Sequence, residues 1–222
     1  MKTVIRVYIA VALGFFGSTV VAQSSAEANP TTESLAPYIG IYQNKSGAFT
    51  SAAIFDPGDS RNRLLFTNLN SGLIRVLSPV AENIFSAGPG LLVPLPIEMQ
   101  VTFHRTGTEQ ASGLGVRKEG LPEEAATRVM CRREEVTFKD GEISLAGTLI
   151  TPSVGQTHAA VVFLHGSGAL NRYSFGPFPD FFVSQGFAVL VYDKRGTVQS
   201  KGNLDSSSLN DLVQMDERRS AS

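Results

Sequence analysis

The apolar pattern of this 222-residue chain changes texture partway along. From about residue 31 to 130, apolar residues come in short alternating or continuous runs. "YIGIYQN", "SAAIFDPGDSRNRLLFTNLNSGLIRVLSPVAENIFSAG" and "IEMQVTFHRTG" are broken by Pro-Gly, Asp-Ser, Asn-Ser-Gly and Gly-Pro-Gly turns. Strands of that length and spacing predict a small antiparallel barrel or sandwich. "LPEEAATRV" then reads as a short helical or linking segment.

From Arg133 the runs lengthen. "EEVTFKDGEISLAGTLITP" predicts two strands, Val136 to Phe138 and Ile143 to Ile150, joined through Lys139-Asp140-Gly141, the Asp-Gly dipeptide being a hairpin signal. Ala160 to Leu164 and Phe187 to Tyr192 are unbroken apolar runs with the signature of buried strands. Between them Phe178, Phe181, Phe182 and Gln185 recur at helical intervals, and Gly186 stands where a helix would end. Strand, helix, strand with continuously apolar strands predicts a parallel sheet covered on both faces. The expected fold class is therefore α/β, preceded by a small mostly-β domain. "SSLNDLVQ" predicts one more helix through Leu209, Leu212 and Val213, after which 215–222 carries only Met215 as an apolar anchor and reads as an aberrant tail.

A hydrophobic fraction of 42%, a charged fraction of 18% and a mean hydropathy of +0.04 fit an ordinary globular protein. The first 22 residues differ. Lys2 and Arg6 precede an apolar run from Val7 to Phe16, and small residues close at Val20-Val21-Ala22. This is the build of a secretory signal peptide cleaved after Ala22, since the apolar run is short of the ~20 residues a spanning helix needs. A polar linker over 23–30 follows, the β-rich domain covers 31–130, and the α/β domain covers 133–214. Loss of Lys2 and Arg6 takes the formal charge from -1 to -3, which gives no reason to expect nucleic acid or an anionic membrane as partner. The single cysteine, Cys131, leaves no internal disulfide available. These features predict a periplasmic or secreted protein with no membrane span after cleavage.

The chemistry concentrates at the end of the first buried run, where Leu164 is followed by His165-Gly166-Ser167-Gly168. In an open parallel sheet, ligands gather at the carboxyl ends of strands. Glycines flanking Ser167 let backbone amides approach a substrate and hold a developing negative charge. Ser167 beside His165 suggests a nucleophile with its base, but the pair lacks a third group to orient it. His104 and His158 lie alone, and no metal-ligand spacing, phosphate loop or cofactor signature occurs.

"HGSGALNR" at 165–172, followed by "VYDKRGTVQSKG" at 191–202, resembles the α/β-hydrolase family, in particular exported bacterial serine hydrolases of the esterase and aminopeptidase-like type. The resemblance covers about Arg133 to Gln214, the N-terminal part of such a domain, and departs at Val198, where the family's turn carries glycine. It implies oxyanion-hole amides from Gly166, Ser167 and Gly168, a loop positioned by His165 and Arg172, and a following turn braced by Asp193 and Arg195. It also implies a small-molecule ester or peptide substrate in intact relatives, and no cofactor. The family's Gly-x-Ser-x-Gly elbow and the later Asp and His are not found in this chain. A frameshift or early stop near Gln214, or an error in the gene call, would each leave an inactive front part of a larger enzyme. The alternative is a non-enzymatic periplasmic protein whose β-rich domain binds a small apolar ligand or a partner.

Overall fold

The computed structural model describes residues 29–204 except 60, 92 and 156. The expected leader over 1–22, the helix after Leu204 and the tail over 215–222 lie outside the described residues, as does all but the end of the linker.

A short helix α1 (Thr32–Leu35) and a 3-10 turn (Ala36–Tyr38) lead into eight strands: β1 (Gly40–Asn44), β2 (Phe49–Phe55), β3 (Arg63–Asn68), β4 (Leu73–Ala81), β5 (Ile84–Ala87), β6 (Met99–His104), β7 (Gly113–Lys118) and β8 (Glu124–Arg128). Each pairs antiparallel with the next, and β8 returns to β1 with Tyr42 opposite Arg128, closing an up-and-down barrel. Closure leaves the barrel no free edge. The period-2 pattern decides which side chains fill it. In β6, Met99, Val101 and Phe103 are buried while Gln100, Thr102 and His104 are not. Phe85 and Phe103 meet edge to face at 5.5 Å, and Tyr38 from the 3-10 turn packs on both from one end of the barrel. At eight strands the interior is just wide enough for side chains to fill.

"LPEEAATRV" is a strand rather than a helix or linker. Its small residues suit the slot between β7 and β1, where Ala126 is buried against the interior and Glu124 remains outside. Helical propensity in Glu-Ala-Ala loses here to the pairing partners on both sides.

The remaining strands, β9 (Cys131–Asp140), β10 (Ile143–Pro152), β11 (Ala160–Val162) and β12 (Ala188–Tyr192), form a small sheet in the order β11-β12-β10-β9. Gly141 and Glu142 bridge the paired Asp140 and Ile143, with Gly141 at φ 59, where a two-residue turn favours glycine. Only β11 and β12 run parallel; β10 is antiparallel to both its neighbours.

This corrects the expected fold class and the family resemblance behind it. The molecule is mostly β, a closed eight-stranded antiparallel barrel with a small mixed sheet, and not an α/β-hydrolase fold. The described residues include just two short α-helices, α1 and the seven-residue α2 (Phe178–Ser184). The apolar runs misled because continuous apolarity marks a strand covered on both faces. Here β11 is a three-residue edge strand with Val162 and Leu164 exposed, and α2 covers one face alone.

The covered face packs on the outside of the barrel. Ile41 of β1 is buried with Ile150, Val183, Val189 and Val191, and Phe49 joins them. Two polar ties cross the same junction: the Ser51 hydroxyl donates to Asp180 at 2.6 Å, and the Asn171 amide donates to Asp56 at 2.7 Å. No helix among the described residues is long and apolar enough to cross a membrane.

Candidate functional sites

The loop after β11 does not bring Ser167 and His165 together. Gly166, Ser167 and Gly168 are exposed, whereas the half-buried His165 ring turns toward the sheet and stacks on Phe175 with centroids 4.8 Å apart. Its Nε2 donates to the Tyr192 carbonyl at 2.6 Å. A carbonyl can only accept, so Nε2 carries the proton and Nδ1 is left as a bare acceptor. That Nδ1 is buried with no partner among the described residues. Protonating it gains no hydrogen bond, and burial lowers the His165 pKa; the backbone bond to Tyr192 pushes the other way, Lys194 adds to the lowering and Asp193 opposes it.

This depression sets the sign of a pH effect. A histidine that resists protonation in the fold contributes stability that is full above its unfolded pKa, about 6.5, and is lost as pH falls through the lower folded value. His165→Gln keeps an N–H donor for Tyr192 without a titrating group. Denaturant titrations should show the wild-type chain losing stability more steeply than His165→Gln as pH drops below about 6.5; parallel curves would show that His165 titrates normally.

The loop is held from below by Lys194, whose Nζ donates to the carbonyls of Gly166 at 2.8 Å and Gly168 at 3.2 Å. The amides of Gly166, Ser167 and Gly168 make no hydrogen bond among the described residues and face solvent.

Arg172 and Asp193 form a buried brace. The Asp193 carboxylate is fully buried and accepts from the Arg172 amide at 3.1 Å, from its Nε at 3.1 Å and Nη2 at 2.9 Å, and from the Gln199 amide at 3.3 Å. Arg172 Nη1 reaches the Thr148 hydroxyl at 2.9 Å and pairs with Glu135. Burial works against the Arg172 charge, but the bonds to Asp193 and Glu135 outweigh it and raise its pKa. Thr148 lies opposite Glu135 in the β9–β10 register, so pleat periodicity alone brings them to the same side. Sequence reading missed both, having no register from which to pair them. Arg195 sits apart, tying the turn after β12 to Asp140 of the β9–β10 hairpin at 3.2 Å.

Two cavities stand out among the described residues. One of about 180 Å³ lies at the junction of barrel and sheet, where Arg172, Glu135 and Thr148 of the brace line it together with Ile54, Tyr173, Arg133 and Asp180. Asp180 is 2% exposed and pairs with Arg133 at 2.6 Å. With Ser51 as its second donor, this carboxylate is satisfied and reads as part of the junction. The larger, about 450 Å³, opens at the barrel end beneath α1. Buried Leu35, Tyr38, Leu64, Leu77 and Phe85 form its apolar wall, and Ser34, Asn62 and Ser78 give it polar groups. Thr31 caps α1 by accepting from the Ser34 amide at 3.2 Å, which fixes the helix over the opening. Arg63 at the rim is already neutralised by Asp59 at 2.7 Å. Among the described residues no cluster of His, Cys, Asp and Glu has the geometry to hold a metal ion.

Comparison with protein-family models, curated proteins and solved structures finds no match for this chain.

Proposed function

We propose that this protein is a non-enzymatic binding protein whose eight-stranded barrel takes a small, mainly apolar molecule with a neutral polar group at one end. The cavity beneath α1 carries this reading: its size falls within the range of small-molecule sites, and its apolar wall with a few polar groups has their composition. The mouths of β-barrels are a recurrent location for such sites. The neutral end group follows from Asn62, Ser34 and Ser78, with Arg63 spoken for by Asp59. The His165 ring is turned to the Tyr192 carbonyl and to Phe175, which supports binding over catalysis by a Ser167–His165 pair. The leader-like first 22 residues support export to the periplasm or beyond, where such a molecule would be met.

The test uses N-phenyl-1-naphthylamine, an apolar fluorophore that brightens on leaving water. Leu77→Phe fills the cavity from within, and Ser34→Trp, at an exposed position of α1, blocks it from the rim without touching the core. Saturable binding to the wild-type chain that weakens at least about tenfold in both variants is the expected result, a loss of the size one displaced apolar contact group produces. Equal binding by the well-folded Ser34→Trp variant would overturn the proposal.

A further inference from the structure

The small sheet is apolar on the face turned away from the barrel as well. Val189 and Val191 of β12 are buried with Ile41 of β1, so strand alternation sends Ala188, Leu190 and Tyr192 to the opposite face. Residues paired across strands share a face. The register therefore sets Val162 of β11 and Leu149 of β10 on either side of Leu190, and Phe138 of β9 beside Leu145. Leu149, Leu190 and Phe138 are half-buried, Val162 is 37% exposed, and Leu164 just beyond it is 62% exposed. Neither described helix covers this face: α1 sits at the barrel end, and α2 sends Val183 into the cluster on the barrel side. A run as continuously apolar as β12 belongs to strands covered on both faces.

The chain itself leads to that face. After β12 it turns and returns beside the start of β10, where the Lys201 amide donates to the Ser144 carbonyl at 2.8 Å and the Ser200 hydroxyl to the Asp193 carbonyl at 2.6 Å. Gly202 then lies against Ile143, close enough that a Cβ there would sit 3.3 Å from Ile143 Cδ1. Ile143 has the parity of Leu145 and Leu149, so the chain arrives on the apolar side, at the end of the sheet where β12 finishes. The residues that follow, "DSSSLNDLVQM" at 205–215, carry Leu209, Leu212 and Val213 at i, i+3 and i+4, with Asn210, Asp211 and Gln214 polar between them. A helix from Ser206 to Met215 is about 15 Å long at 1.5 Å per residue. The length of β12 is about 16 Å at 3.3 Å per residue. One pass back along β12 therefore spans the sheet.

We propose that residues 205–215 dock on this face as an amphipathic helix antiparallel to β12, with Leu209, Leu212 and Val213 over Leu190, Leu149 and Val162. Burial of apolar area on both partners drives the contact. The segment is tethered at the edge of its own docking surface, which gives it an effective concentration that a second copy of the chain does not match. The face lies across the sheet from the barrel, so this inference stands independently of the proposed ligand.

Thiol labelling of the full chain tests it. Cys131 is the single cysteine, so in a Cys131→Ser background each introduced thiol reports alone. Leu209→Cys, Leu212→Cys and Val213→Cys should react with a maleimide at least about tenfold more slowly than Asn210→Cys, Asp211→Cys and Gln214→Cys, since a docked side chain reacts only when the contact opens. Leu190→Cys reads the other partner. Adding Leu209→Ser/Leu212→Ser/Val213→Ser to it should speed its labelling by a similar factor, while hydrogen-exchange protection of the β9 and β10 amides shows that the sheet stays folded. Equal labelling along 209–214 would overturn the proposal, and so would a Leu190→Cys rate indifferent to the triple substitution. Protection of Leu190→Cys that disappears on dilution would overturn it too, by assigning the face to a second copy of the chain.

Discussion

Asp193→Ala is expected to cost about 3–5 kcal/mol, the usual consequence of removing one partner from a buried ion pair. Asp193 is fully buried and Arg172 is 6% exposed, so the guanidinium left behind keeps its desolvation cost and loses its principal counter-charge. Glu135 cannot take over, because it contacts Nη1 while the vacated bonds are those of Nε and Nη2. The backbone loses support as well: the amides of Arg172 and Gln199 both end on this carboxylate. Urea unfolding monitored by circular dichroism should show the midpoint moving down at unchanged slope. Arg172→Met/Asp193→Leu should recover part of the loss, since an apolar pair carries no unpaired charge. A midpoint shift worth less than about 1 kcal/mol, the range of surface pairs such as Arg132–Glu134, would show that the brace does not support the fold.

That brace shows how far the sequence can be read. His165, Arg172, Asp193 and Arg195 stand out in sequence because they punctuate apolar runs, and all four make ordered contacts. What failed was the fold class read around them, an α/β sheet where the molecule is mostly β. The continuous apolar runs predicted a parallel sheet, whereas β10 is antiparallel to both β12 and β9. Strand texture before residue 130 was legible through alternation, as in Met99, Val101 and Phe103. Closure was not, because it rests on β8, whose Glu-Ala-Ala composition carries no strand signal until β1 and β7 flank it. The cavity beneath α1 was equally invisible: Leu35, Leu64, Leu77 and Phe85 are ordinary core residues in sequence, and only the position of a four-residue helix leaves space among them.

Arg128→Met should be the second costly substitution, at about 2–4 kcal/mol, because it strips the side-chain donors from the part-buried Ala111 and Ile39 carbonyls. No carboxylate pairs with Arg128 among the described residues; its guanidinium is spent on the backbone. Nε donates to the Ala111 carbonyl, Nη1 to that of Ile39 at 2.7 Å, and Nη2 to that of Pro37 and to the Tyr42 hydroxyl, both at 3.3 Å. One side chain on the closing strand thus ties the 3-10 turn, the β6–β7 loop and β1 together, with its cation 5.2 Å from the Tyr42 ring centroid. Gly40 completes the fit, since a Cβ at that position would overlap the guanidinium. The 3-10 turn supplies Tyr38 to the cavity wall, so the same substitution should loosen the lid of the proposed site. Hydrogen exchange separates the two effects. Faster exchange confined to the Ile39 and Ala111 amides, with β3 and β4 protected as before, would mark a local loss of the cap. Uniformly faster exchange through β3 and β4 would mean that Arg128 stabilises barrel closure as a whole, and the cavity would then owe its shape to the β8–β1 seam.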